Sequence, residues 1–230
     1  MRFRFCILFL LSVPAAAQAQ SDTLWLAEPW YFDAGPAALT DAARFLPPVF
    51  REGVLLKRYI RDDRFYQLRK SFDDTLAVDA IYDRALHLTE GDIGMALLVA
   101  AIAVMDHRQL GLKIPLLGTV YLPLTMESDS LFKVRRTNLP KRILTDGPKA
   151  VDKDKLQHFF GSAFLAYAVN SPIFAEHVGD WVEEWEQRFV LGGKKDRRDQ
   201  AANALGREFG FGLQKDPEIL PSDILWGIQP

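Results

Sequence analysis

The run from Ile93 to Met105 constrains this chain more than any other segment, because thirteen consecutive residues carry no charge and no strongly polar group. Thr89-Glu90-Gly91-Asp92 opens it and Asp106-His107-Arg108 closes it, with Gly111 as a stop signal. As a helix it would be about 20 Å long, shorter than the ~30 Å hydrocarbon core of a bilayer. A helix that is apolar on every side and too short to cross must be enclosed by other elements or lie against a membrane surface. The first placement predicts a central core helix.

The flanking segments have the pattern needed to enclose it. From Asp62 to Leu88, Phe65, Leu68, Phe72, Leu76, Ile81 and Leu86 recur mostly at three- and four-residue steps, with Val78 off phase. That spacing predicts one amphipathic helix or two joined ones. The last third predicts three more: Asp152 or Lys153 to Asn170, ended by Ser171-Pro172; Ile173 to Val190, ended by Gly192-Gly193; and Arg197 to Leu213.

Residues Lys113 to Leu144 have a different composition, broken by Pro115, Gly118, Pro123 and Pro140. Thr119-Val120-Tyr121-Leu122 favours extended backbone, and Leu131-Phe132-Lys133-Val134-Arg135 alternates as a half-buried strand would. The expected fold is mainly α, a helical bundle with a small extended or hairpin excursion near residues 113–136.

Met1-Arg2-Phe3-Arg4, the apolar run Phe5 to Val13, Pro14 and then Ala15-Ala16-Ala17-Gln18-Ala19 follow the three-part layout of a secretory signal peptide. Residues 1–19 are therefore expected to be removed after Ala19, or alternatively after Ala17. Residues 20–48, rich in aromatics and Pro, are expected as an irregular arm with a short helix from Thr40 or Ala37. Residues 49–230 form one mainly helical domain. Cys6 lies in the expected leader, so the exported chain would hold no thiol and no cysteine-based zinc site. With 28 basic and 30 acidic residues, the chain has no basic excess to bind nucleic acid. Its expected place is the periplasm, free or peripherally attached to an envelope membrane.

The residues able to carry chemistry gather in the last third. Asp154 and His158 are four apart and share a helix face, Ser162 continues that stripe, and Gly161 beside it leaves room for another backbone. Asp199, Asn203, Gly206 and Gly210 form a second stripe, polar at its start and small at its end. Glu183 and Glu184 lie on the expected middle helix. Asp154, His158 and Asp199 form the candidate catalytic set: an Asp–His pair is what a general base requires. Lys155, Ser162, Glu183, Glu184 and Asn203 are the candidate ligand-binding residues. Each also has a plain structural reading: Asp154 as a helix cap, His158 as a buried imidazole held by a carboxylate, Lys155 as a snorkelling or Glu184-paired lysine, Asp199 and Asn203 as inter-helix bridges, and the glutamates as a solvated face. His87, His107 and His177 are scattered, so no metal site and no cofactor is expected, although His158, Asp199 and one Glu would suit a divalent ion chemically. Gly-x-Ser-x-Gly, Gly-x-Gly-x-x-Gly and Gly-Lys-Ser/Thr patterns are absent. Lys194-Lys195-Asp196-Arg197-Arg198 reads as a solvated basic loop, or as a contact for anionic head groups.

Asp-Lys-x-x-His-Phe at Asp154–Phe159, a Glu-bearing segment, and then Asp-x-x-x-Asn-x-x-Gly at Asp199–Gly206 resemble the YfiM-like family of small bacterial envelope proteins. More distantly, they are similar to the VanZ-like membrane proteins. The resemblance covers about residues 152–212 and implies a helical envelope protein without a defined reaction. The chain departs from the family in lacking its usual lipid-attachment cysteine and in carrying a long unmatched N-terminal portion. The expected role is that of a structural or binding/accessory protein whose partner is an envelope lipid or a membrane protein. The alternative is a hydrolase or transferase acting on an envelope lipid or cell-wall intermediate, with His158 as general base.

Overall fold

The computed structural model describes residues 47–114, 118–123, 125, 127–144, 152–169 and 197–225. The expected leader, most of the arm and the expected middle helix, including Glu183 and Glu184, lie outside the described residues. The described chain is mainly α. In chain order it comprises α1 (Pro48–Arg61), α2 (Asp63–Ser71), α3 (Asp74–Leu88), α4 (Ile93–Val104), β1 (Gln109–Ile114), β2 (Gly118–Pro123), α5 (Asp129–Asn138), α6 (Lys155–Val169), α7 (Arg197–Leu213) and α8 (Pro221–Leu225).

Short polar side chains start the helices by accepting otherwise unpaired backbone N–H groups. Asp62 takes Arg64 N at 2.9 Å, Asp73 takes Thr75 N at 3.0 Å and Asp92 takes Met95 N at 2.9 Å. The capping at Asp73 also explains the off-phase Val78. The helix restarts there, its phase resets, and Val78 is buried within α3. Phe72, left at the break, is exposed rather than part of the core. Between α3 and α4 the chain turns through Gly91 at φ 88°, a left-handed conformation that a side chain would strain.

α4 is the central core helix: Leu97, Val99, Ala100, Ala103 and Val104 have no exposed surface, Leu98 and Ile102 are half-buried, and α1, α3 and α6 pack around it. It ends at Val104, where Met105 turns extended; Gly111 is not its stop but a residue of β1. α1 was not foreseen. Pro48 in its first turn needs no amide partner there, and Leu56, Tyr59 and Ile60 point into the core. On the outer side of α6 lies α7, joined to it and to α3 through aromatic rings. Phe159 stacks on Phe209 at 5.5 Å, and Tyr82 meets Phe209 edge-on at 5.2 Å.

The excursion is an antiparallel hairpin pairing Gln109 with Pro123 and Ile114 with Gly118. It comes earlier than expected, and Leu131–Arg135 is not a strand. These residues belong to α5, which Ser128 caps. The alternation misled because one of its two polar members is buried: Arg135 is enclosed, whereas Lys133, Leu131 and Val134 are exposed. Arg135 Nη1 donates to the carbonyls of Ala103 and Met105, both at 2.9 Å, and so ties α5 to the end of α4.

The seam between α6 and α7 is a close approach of two backbones. A Cβ at Gly206 would lie 2.2 Å from the Phe159 carbonyl oxygen, and one at Gly210 would lie 2.3 Å from that of Ala163. Gly161, expected to serve such an approach, has no atom of the described residues within 4 Å of an added Cβ. Gly206→Ala should therefore cost about 1–3 kcal/mol or more by overpacking. Gly161→Ala should stabilise by roughly 0.5–1 kcal/mol through helix propensity. Urea unfolding of the two variants measures both.

At the end of the described chain, α8 docks on α3 where Ser222 N donates to Asp79 Oδ1 at 2.7 Å. Burial raises the Asp79 carboxyl to about 7, with Asp223 and Asp83 adding to the rise and the Ser222 hydrogen bonds opposing it. Because the folded-state value exceeds the ordinary one, this group's contribution is fully present below about pH 4 and is lost as the pH rises through about 7. Asp79→Asn keeps an oxygen for Ser222 N but has no proton to lose. The difference in urea midpoint between pH 5 and pH 8 should therefore be smaller in this variant than in the wild type.

Candidate functional site

The candidate residues that are described, all but Glu183 and Glu184, come together along the α6–α7 seam. Asp154 directly precedes α6, which begins at Lys155, a little later than expected. From that helix Lys155, His158 and Ser162 face α7, which begins at Arg197 as expected and presents Asp199 and Asn203. Lys155 Nζ lies 2.7 Å from Asp154 Oδ2 and 2.6 Å from Asp199 Oδ1, while His158 Nε2 lies 3.4 Å from the same Asp199 oxygen. One turn along, Ser162 Oγ donates to Asn203 Oδ1 at 2.9 Å. At the far end Gln214 Nε2 donates to the carbonyls of Ala166 and Tyr167, at 3.0 and 2.9 Å. Each contact advances along both chains in the same direction, so α6 and α7 run parallel.

Lys155 is not a snorkelling lysine. Its side chain is buried and sits between two carboxylates. His158 is paired through Asp199 rather than through Asp154, whose carboxylate turns to Lys155. At 3.4 Å the His158–Asp199 contact is longer than an ordinary hydrogen bond. The dyad is not sealed: His158 is 19% exposed and Asp199 20%.

Arg198 was expected in a solvated loop, but it pairs with Asp152, whose side chain is fully buried. Asp152 was foreseen only as a helix start. Its Oδ2 also accepts the amides of Ile143 and Leu144, both at 3.1 Å. Asp74 does the same for the preceding pair, taking Lys141 N at 2.9 Å and Arg142 N at 3.0 Å. Two carboxylates thus fasten four consecutive amides, and this loop brings Asp152 and Arg198 beside the Lys155–Asp199 pair. The signal in the sequence was Asp152 two residues before the motif.

Among the described residues, no group of three His, Cys, Asp or Glu side chains is placed to hold a metal ion, and no helix is long and apolar enough to cross a membrane. Comparison with family models, with curated proteins and with solved structures gives no match.

The arrangement fastens two helices with charge at one end and close backbone packing at the other. Removing Asp152 would leave Arg198 without its carboxylate and two amides without an acceptor. Breaking a buried pair in this way costs about 3 kcal/mol. Asp152→Ala should accordingly lower the urea midpoint far more than Asp154→Ala, whose carboxylate is partly exposed and shares Lys155 with Asp199.

Proposed function

We propose that this chain is an exported, helical protein of the bacterial envelope, related to the YfiM-like proteins, with a binding or accessory role rather than a catalytic one. In this reading the Asp/Lys/His/Asn cluster clasps α6 to α7 and so holds a surface for an envelope lipid or a membrane protein. The supporting observation is that Lys155, Ser162, Asp199 and Asn203 all find partners across the seam. Lys155 is already neutralised by two carboxylates, which leaves it poorly suited to stabilise a developing anion.

A second reading is favoured by one observation, the partial exposure of His158 and Asp199. A hydrolase or transferase acting on an envelope lipid or cell-wall intermediate would use His158 as its base, with Asp199 orienting the ring.

His158→Gln separates the two. If the cluster is a clasp, the variant loses about 1 kcal/mol. Its melting temperature then falls by roughly 2–4 °C for a chain of this size, while capture of lipids and metabolites by the purified protein stays unchanged. Unchanged melting together with lost turnover would favour the enzyme, whereas lost capture alone would place His158 in a ligand-binding surface.

A further inference from the structure

A second cluster of charge lies between α1, α5 and the residues leading into α5, and it shares no side chain with the α6–α7 seam. Its centre is Glu127, whose Oε1 pairs with Arg61 Nη1. Its Oε2 accepts from Arg135 Nε at 2.9 Å and Thr125 Oγ1 at 3.1 Å, and lies 2.8 Å from Arg135 Nη2. Burial would push the Glu127 carboxyl up, but the Arg135 hydrogen bond and the charges of Arg135, Arg61 and Lys57 outweigh it and hold it below the usual range. The carboxylate is thus fully engaged by the two arginines.

Lys57 stands one helical turn before Arg61 on the same face of α1. It is only 6% exposed, and Arg135, Glu127 and Arg61 are the charges that act on it. Burial lowers its ammonium to about 8, with Arg135 and Arg61 adding and Glu127 opposing, so it still carries its proton at neutral pH. Three cations therefore surround one carboxylate in a place largely withdrawn from water, and that carboxylate is spent on the arginines. Arg135 Nε is taken by Glu127 and Nη1 by the carbonyls of Ala103 and Met105, while its Nη2 lies against Glu127 Oε2, buried and without a hydrogen bond of its own. Lys57 Nζ and the outer edge of Arg61, whose side chain is 15% exposed, are the groups able to meet a ligand.

An uncompensated pair of positive charges at low dielectric is costly unless an anion joins it. We propose that Lys57 and Arg61 form a binding site for a phosphate-bearing anion, with Arg135 and Glu127 fixing its shape. A phosphate monoester carries between one and two negative charges near neutral pH, which matches the excess. Its several oxygens can take an ammonium and a guanidinium edge together.

The test is thermal unfolding of the full chain in inorganic phosphate against chloride at matched ionic strength, with vesicles containing phosphatidic acid or only phosphatidylcholine as a second arm. Wild type should gain several degrees in 10 mM phosphate, Lys57→Arg should keep most of that gain, and Lys57→Met should lose it. In wild type alone, the side-chain 15N resonance of Lys57 should move on phosphate addition, which keeps the test decisive if Lys57→Met fails to fold. Stabilisation by phosphate without flotation on either vesicle identifies a small soluble phosphate. Flotation on phosphatidic acid alone identifies a lipid phosphate. A Lys57→Met variant that responds to phosphate as wild type does, or an unmoved Lys57 resonance, would overturn the proposal.

Discussion

The described fold depends on how closely two parallel helices approach. Along α7 the side chains that face α6 shrink from Asp199 and Asn203 to Gly206 and Gly210, and the seam narrows accordingly. Where the glycines sit, the carbonyls of Phe159 and Ala163 occupy the space a methyl group would fill. Such proximity maximises dispersion contacts between backbones. It also sets the helices' register, since sliding α7 by one residue would drive a larger side chain into a carbonyl oxygen. Phe159 and Phe209, stacked beside this contact, extend the fixed register into the core through Tyr82.

Charge serves the same purpose at the other end, where the helices begin and backbone contact alone would not fix them. Arg198 and Asp199 are neighbours in sequence, yet their side chains engage two different partners. Arg198 reaches Asp152 in the approach to α6, and Asp199 reaches Lys155 in its first turn. Opposite charges on adjacent residues, matched by opposite charges on Asp152 and Lys155, exclude a shifted pairing, because a slip would oppose like charges. Asp152 and Asp74 then hold the loop 141–144 from its two ends, so the geometry of the motif rests on α3 as well as on α6.

Much of this was legible in the residues. The all-apolar run from Ile93 became the core helix because thirteen residues without polarity gain most by burial, although Leu98 and Ile102 stay half-buried. The stripes 154–158–162 and 199–203–206–210 met because helical periodicity fixes which side chains share a face, and small residues are tolerated in a row only where something presses on them. What stayed hidden had a common cause. Arg135, Asp152 and Arg198 are charged residues that the fold turns inward to satisfy carbonyls, amides or one another, and local pattern assigns such residues to the surface. Arg135 reversed the reading of Leu131–Arg135 from strand to helix for that reason. α1 escaped notice because Arg51, Lys57, Arg58 and Arg61 dilute its apolar period, although Leu56, Tyr59 and Ile60 carry it.

The same inward charges separate the two clusters in kind. In the α6–α7 seam, Lys155 faces Asp154 and Asp199, and Arg198 faces Asp152, so the described cations are answered by carboxylates close at hand. Around Glu127 the count runs the other way, with Lys57, Arg61 and Arg135 converging on one acid. A balanced cluster gains its stability from internal pairing and is complete without a ligand. An unbalanced one in a desolvated place keeps an outward electrostatic demand, and that demand has a sign and an approximate magnitude. The residues that resemble an active site in sequence are thus the ones whose charges are already answered, whereas the unanswered charge lies on a helix that the sequence pattern did not reveal.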